Sequence, residues 1–250
     1  MQSIWQPPPA DLALSNHEIH VWLASLDQPA QHRQQLLATL APEERLRAER
    51  FHFELDRNRF IVGRGILRTI LGRYLQQEPS WIQFRYGGRG KPYLATQPPD
   101  RSLCFNLSHS QGMALYALSR GQEIGIDLEF IRPLPDVEAI AQYCFSAQEK
   151  ANFLTLPARE QKVAFFQVWT RKEAYLKAIG DGLAFPLDQF EVSLLPGEPA
   201  KLLSIQGCSE AAKQWLLQDL SPAPNYAATL AVAAGDWQLR YWLWNDAVLA

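Results

Sequence analysis

Cysteine is scarce and scattered. Cys104, Cys144 and Cys208 are the only three in 250 residues. Their wide spacing excludes both a CxxC metal knuckle and a disulfide framework, and the odd number favours a reducing compartment. Long apolar runs are also missing, and nothing approaches the ~20 residues that span a bilayer. The opening MQSIWQPPPADLALS has no basic stretch and breaks on Pro7, Pro8 and Pro9, unlike an export signal. These absences predict a cytoplasmic protein with no membrane partner. Excess positive charge is lacking too: 24 Lys+Arg stand against 26 Asp+Glu, with a pI near 6.2. That balance argues against a generally basic nucleic-acid coat protein. What remains is ordinary globular composition, 47% hydrophobic and 20% charged, which excludes disorder. The length suits one large domain or two small ones.

The charge is unevenly spread. Residues 1–122 carry a net +4 and residues 123–250 a net −6. Such a split fits a polyanion on one side and a cation on the other, or plain surface scatter. Between Arg45 and Arg73 lie eight arginines and no lysine. Pro42 suits a first helical turn, with Glu43 and Glu44 favourable there. Ile61, Gly65, Arg68, Leu67, Ile70 and Leu71 form a helical stripe, with Arg64 and Arg68 on one face. The stretch reads as helix, its guanidinium groups either gripping phosphate or pairing with the interleaved acids. Farther on, Phe84 to Tyr93 is a basic, glycine-rich turn. A P-loop is excluded because Arg85 takes the first glycine position and Pro92 follows Lys91. Gly63 and Gly65 lack the third glycine of a dinucleotide fingerprint, since Arg68 stands there.

Leu103–His109 and Met113–Leu118 predict a hairpin turning at Gly112, and Ile124–Phe130 predicts a further strand. Gly121 marks the turn where the charge changes sign, so two halves are expected, 1–122 and 123–250. Ser146 and Glu149 spell a capping box opening a short helix that Pro157 ends. A longer helix is expected from about Glu160 to Ile179, stopped by Gly180. Strand-like pieces follow near Phe190, Lys201, Gln214, Ala227 and Gln238. Helices with antiparallel strands in both halves define an α+β class.

Asp127 and Glu129 sit two apart on an apolar strand, so they share a face opposite Ile126, Leu128 and Phe130. Paired carboxylates repel unless a cation or proton lies between them. They suit Mg²⁺, or else a solvent-facing strand edge. Trp169, Glu173 and Lys177 recur at helical spacing and line one face. They serve an anion and its metal together, or form a simple surface pair. Ser108 and His109 are adjacent on a strand and point oppositely, so they are no nucleophile–base pair. His109 reads as a phosphate donor or a structural histidine. His17 and His20 lack a third ligand and are given no metal role.

Taken in order, four segments resemble the Sfp-type 4'-phosphopantetheinyl transferases. They are Gly90-Lys91-Pro92, Phe105-Asn106-Leu107-Ser108-His109-Ser110, Ile124-Gly125-Ile126-Asp127-Leu128-Glu129, and Trp169-Thr170-Arg171-Lys172-Glu173-Ala174-Tyr175-Leu176-Lys177. The resemblance covers roughly Pro42 to Phe190. It implies two similar α+β halves packed pseudo-symmetrically, with coenzyme A in the cleft between them. It also implies transfer of the phosphopantetheine arm of coenzyme A to a serine of an acyl carrier protein, or of a carrier domain of polyketide or peptide synthases. Adenosine 3',5'-bisphosphate leaves. By the same resemblance Asp127, Glu129 and Glu173 hold Mg²⁺, for which Mn²⁺ substitutes, and Lys177 touches the pyrophosphate. Arg47, with Arg50 or Arg59 beside it, Arg89 or Lys91, Ser108 and His109 grip the adenosine end and its 3'-phosphate. Glu173 is the expected base. The helical stretch from Val137 to Leu154 is the expected carrier-binding surface. Two fused halves imply a monomer. Two rival readings remain: a silent nucleotide-binding module, which would have no use for three converging carboxylates, and a single-strand nucleic-acid binder, whose binding would fall steeply with salt.

Overall fold

The computed structural model describes residues 4–95, 103–180 and 185–245. The first half runs β1 (Glu18–Ser25), α1 (Ala30–Thr39), α2 (Pro42–Glu49), α3 (Glu54–Leu75), the hairpin β2 (Phe84–Tyr86) and β3 (Pro92–Leu94), then β4 (Leu103–Ser110) and β5 (Met113–Arg120). The second half repeats that order. It runs β6 (Ile124–Phe130), α4 (Val137–Cys144), α5 (Ala147–Thr155), α6 (Ala158–Ile179), the hairpin β7 (Phe190–Val192) and β8 (Leu202–Ile205), a one-turn α7 (Ser209–Ala212), β9 (Trp215–Leu220) and β10 (Tyr226–Ala233). The two antiparallel sheets have matching orders, β1-β5-β4 and β6-β10-β9. The fold is therefore α+β, with one topology used twice. The last strand, β11 (Gln238–Leu243), departs from the expected division. It follows the second half in sequence but pairs parallel with β1, Trp242 opposite Trp22.

Alternation along the strands decides the packing. Ile19, Val21 and Leu23 of β1 meet Ile124, Ile126 and Leu128 of β6 in an apolar layer between the two sheets. The opposite faces carry the long helices. Trp22 and Ala24 share a core with Val62, Ile66 and Ile70 of α3. On β6 the residue facing α6 is Gly125, where a Cβ would lie 2.0 Å from the Ala174 carbonyl oxygen. The close approach of α6 to β6 thus requires glycine there. The hairpin expected at Gly112 is present, with Gln111 and Gly112 both left-handed at φ 46° and 83°.

The arginine-rich stretch is two helices, not one. The chain leaves α2 at Arg50 and enters α3 through the extended Phe53. Tertiary contacts outweigh continuity here: the Phe51 ring turns onto Phe60, centroids 5.2 Å apart. Folding α2 back also carries Glu44 against α3, where Arg64 Nε donates at 2.5 Å and Arg68 Nε at 2.6 Å.

That contact belongs to a device present in both halves. Glu44 and Glu149 are each the third residue of their helix and accept from the backbone amide of the capping position, Ala41 at 3.0 Å and Ser146 at 2.7 Å. Each carboxylate meets a fully buried cation, the fifteenth residue of a 22-residue helix: Arg68 on α3 and Lys172 on α6. Each cation then binds two carbonyls beyond its helix. Arg68 donates to Pro79 and Ile82, both at 2.9 Å, and Lys172 to Leu187 at 2.7 Å and Phe190 at 2.6 Å. Burial pushes the Glu149 carboxyl up and the Lys172 ammonium down, against their mutual attraction.

Removing one member of such a pair leaves a buried charge without compensation. Lys172→Met is therefore expected to lower unfolding free energy by about 3–5 kcal/mol, and Lys172→Met/Glu149→Gln to recover most of it. Equal losses in the single and double variants, measured by chemical denaturation, would show that the pair is not coupled.

His20 supplies a pH dependence. It is 2% exposed. His20 Nδ1 and the Tyr74 hydroxyl are hydrogen-bonded at 2.6 Å, and the same hydroxyl accepts from Trp22 Nε1 at 3.0 Å. Burial holds the imidazole down to about 4, against an ordinary 6.5. Between those values the unfolded chain binds more protons than the folded one, so stability rises with pH across the window. It falls, by an amount on the order of 3 kcal/mol, as pH drops from 6.5 towards 4. A His20→Phe variant should lose that component of the slope in denaturation at pH 4–7. Identical slopes in both proteins would place the titration elsewhere.

Candidate active site

The edge strands β4 and β6 face each other where the halves meet, and side chains stitch them. Asn106, Ser108 and Ser110 alternate along β4 and reach the same way. Asn106 Oδ1 accepts from the Ile126 amide at 2.9 Å. Ser108 donates to Asp127 Oδ1 at 2.9 Å, and Ser110 to Glu129 Oε2 at 3.0 Å. From α6, Lys177 Nζ reaches the same seam. It lies 2.6 Å from Asp127 Oδ1, 3.0 Å from Ser108 Oγ and 3.2 Å from the Ile126 carbonyl. The structure thus brings Ser108, Asp127, Glu129, Glu173 and Lys177 to one place.

The electrostatics there call for more positive charge. Burial, reinforced by the negative charge of Asp127, pushes the carboxyls of Glu129 and Glu173 above the usual range. Asp127 Oδ2 and Glu173 Oε1 are buried with no hydrogen-bond partner, a costly state for carboxylate oxygens. Among the described residues, no three His, Cys, Asp or Glu side chains are gathered into a ready ligand cluster. Lys177 is on Asp127 instead. The donor set nonetheless fits a hard divalent cation: three oxygen donors from two elements, two of them with a free buried oxygen.

Beside the seam is a cleft of about 600 Å³ whose wall includes Arg47, Arg59, Arg64, Tyr86, His109 and Ser110. Two of its arginines already have acidic partners. Arg59 forks onto Asp27 at 2.8 and 3.0 Å. Arg64 is held by Glu44 and the Tyr86 hydroxyl and lies over the Phe84 ring. Arg47 sits 5.2 Å over Phe60, and no carboxylate among the described residues pairs with it. Loss of hydration, with Lys177 and Arg59 nearby, pushes the His109 imidazole down, so it offers hydrogen bonds rather than charge.

Other expected residues lie elsewhere. Lys91, between Gly90 and Pro92 of the cleft wall, turns away from it. Its ammonium binds Glu123 at 2.6 Å and approaches the Ala178 carbonyl at 3.4 Å. The negative end of α6 and an acid explain that choice. Arg89 is exposed in the same hairpin turn. Trp169 packs on Phe165 at the second-half core, centroids 6.0 Å apart. Within its motif, Thr170 meets Thr229, Arg171 forks onto Asp219, and Lys172 meets Glu149. These three tie α6 down. Asn106 and Ser110 were not singled out from the sequence as seam residues, although the period-two spacing of Asn106, Ser108 and Ser110 carries the signal.

The class of protein is now definable. The model for the 4'-phosphopantetheinyl transferase superfamily matches residues 123–231, and that for the N-terminal part of 4'-phosphopantetheinyl transferases matches residues 27–120. The chain belongs to the 4'-phosphopantetheinyl transferase superfamily. It is 46% identical over 242 residues to the 4'-phosphopantetheinyl transferase HetI of Nostoc sp., covering 97% of this chain and 99% of that one. The 4'-phosphopantetheinyl transferase Sfp of Bacillus subtilis is 33% identical over 171 residues, 68% of this chain and 74% of that one. Among solved structures, the holo-[acyl-carrier-protein] synthase of Thermotoga maritima matches with 23% identity and a TM-score of 0.33, over 44% of this chain and 62% of that one.

Proposed function

We propose that this chain transfers the 4'-phosphopantetheine arm of coenzyme A to a serine hydroxyl of an acyl or peptidyl carrier protein, with Mg²⁺ required. The observation that carries the reading is the seam: three carboxylates and one lysine, with two buried oxygens lacking partners, open beside an arginine-walled cleft. Asp127, Glu129 and Glu173 would hold Mg²⁺. When bound, the ion supplies charge neutralisation at the pyrophosphate.

The remaining roles fall to the chain. Arg47 is the cleft cation best suited to the 3'-phosphate, because Arg59 and Arg64 are already neutralised. His109 is placed to hydrogen-bond the adenosine end. Lys177 lies where the pyrophosphate meets the seam. Ser108 orients both Lys177 and Asp127 through its hydroxyl. Glu173, buried and unpartnered at Oε1, is placed to take the proton of the incoming serine. That serine oxygen bonds to the phosphorus bearing the pantetheine arm. The bond from that phosphorus to adenosine 3',5'-bisphosphate breaks, and the bisphosphate leaves. Residues 1–122 serve the adenosine and 3'-phosphate side, and 123–250 the metal and pyrophosphate side.

The carrier is read onto the stretch 137–154, where Tyr143 is 85% and Leu154 55% exposed. Two halves in one chain favour a monomer, and the odd number of cysteines fits a reducing compartment. Among the described residues no helix is long and apolar enough to cross a membrane.

Intact-mass analysis of an apo acyl carrier protein incubated with this protein, coenzyme A and Mg²⁺ should show a gain of one phosphopantetheine, abolished by EDTA. Glu173→Ala should slow the transfer by roughly 10²–10⁴-fold while folding normally. No gain with several unrelated carriers, despite measured coenzyme A binding, would leave a silent binding module.

Arg47 makes a separate prediction. Arg47→Ala should raise KM for coenzyme A about tenfold and change kcat little, since a charge-assisted hydrogen bond contributes roughly 1.5–3 kcal/mol. The effect should shrink with 3'-dephospho-coenzyme A. Equal effects on both substrates would remove Arg47 from the 3'-phosphate.

A further inference from the structure

Ser110 ends β4, in the first half, yet its hydroxyl works in the second. It accepts from the Phe130 amide at 3.1 Å and donates to Glu129 Oε2 at 3.0 Å. The amide can only donate, so the serine proton is left for the carboxylate. The ion pair that Glu129 makes among the described residues is looser, with Arg132 at 3.7 Å on a half-exposed side chain. Ser110 therefore makes the short, directional contact on Glu129.

The backbone carrying Ser110 is itself fixed. Gln111 and Gly112 make a tight turn with both residues left-handed. The Tyr226 hydroxyl, from β10, donates to the Gln111 carbonyl at 3.1 Å. The Tyr226 ring packs on Phe130, centroids 5.1 Å apart. Two residues earlier, Ser108 does the same for Asp127 at 2.9 Å. The two carboxylates of β6 are thus each held by a serine from the facing strand, at matching two-residue spacing.

We propose that Ser110 is a positioning residue: its hydroxyl aims the Glu129 carboxylate into the seam so that it faces a divalent cation. The geometry makes metal binding depend on the two halves being docked, because the carboxylate and its orienting hydroxyl come from different halves. Partners that orient metal-binding carboxylates commonly matter about 10–100-fold in metal affinity. This inference rests on the metal reading of Asp127, Glu129 and Glu173.

The test is Mn²⁺ binding to the full chain, with coenzyme A present, followed by calorimetry and by the Mn²⁺ electron paramagnetic resonance signal. Ser110→Ala should weaken Mn²⁺ at least about tenfold, and Ser110→Thr, which keeps the hydroxyl, should stay within about threefold of wild type. Ser110→Ala added to Glu129→Gln should weaken Mn²⁺ by less than about twofold beyond Glu129→Gln alone, because the hydroxyl acts through that carboxylate. A seam contact with only a structural role would lower the unfolding temperature of Ser110→Ala and leave Mn²⁺ affinity unchanged. That result, with Asp127→Asn weakening Mn²⁺, would overturn the inference and spare the metal reading. Unchanged Mn²⁺ affinity in Asp127→Asn as well would overturn the metal reading itself.

Discussion

The interaction on which the rest depends is the buried cation of each long helix against the capping carboxylate of the helix before it. Desolvating Lys172 and Glu149 is expensive, and replacing such pairs by apolar residues is often neutral or stabilising. Orientation is what the pair secures. A helix packed by apolar side chains alone can rotate or slide a little at small cost. A helix whose ammonium must meet one carboxylate and the carbonyls of Leu187 and Phe190 cannot. Arg171 and Thr170 add ties to Asp219 and Thr229. With three consecutive residues anchored, the next one, Glu173, has a set direction. Lys177 follows one turn later on the same face and reaches Asp127 across the seam.

The same device in the first half carries no such chemistry, and the reason is visible at matching positions. Glu173 is the sixteenth residue of α6, and its counterpart on α3 is Thr69, whose hydroxyl turns back onto the Gly65 carbonyl at 3.0 Å. Lys177 is the twentieth, and its counterpart is Arg73. Arg73 lies 6.0 Å over the ring of Trp22, where Lys177 has a carboxylate. The strand edges differ as well. β6 presents its edge to the side chains of β4, whereas β1 is covered by β11 in continuous backbone pairing. One copy of the duplicated fold keeps an edge that side chains can line, and the other closes its edge with a strand. Polar side chains at a seam can be turned to a ligand, whereas a backbone ladder cannot.

Much of this was legible in residue order, and the failures share one cause. Period-two alternation placed Asp127 and Glu129 on one face of a strand, and Ser146 with Glu149 announced a helix start that is present. Those signals are local. The arginine stretch is helical as read, but its break is not legible locally, because the contacts that hold it reach 20 and 24 residues, from Glu44 to Arg64 and Arg68. Lys91 shows the same limit: the resemblance offers it or Arg89 to the adenosine end, whereas its ammonium binds Glu123, 32 residues on, a partner no local pattern indicates. The motif from Trp169 to Lys177 was recognised as a unit. Its spacing groups Glu173 with Lys177 on one face, but does not say that Lys172 beside them is buried in the core while Glu173 faces the seam. That separation comes from which neighbour each finds.

The charge asymmetry shows how a count can be right and its location misleading. The first half does carry a net +4, yet in the cleft Arg59 is matched by Asp27 and Arg64 by Glu44. A guanidinium forked onto a carboxylate presents little net charge to an arriving anion, though it still shapes the wall. The field in the cleft is set by the few cations without an acid, with Arg47 among them, while Lys177 is held on Asp127 in the seam. On the acidic side the reverse holds. Three carboxylates share one lysine, and burial leaves that small local deficit less screened than the solvated charges behind the rest of the half's net −6. A cationic cleft wall beside a seam of carboxylates suits an anionic ligand that arrives with a divalent cation.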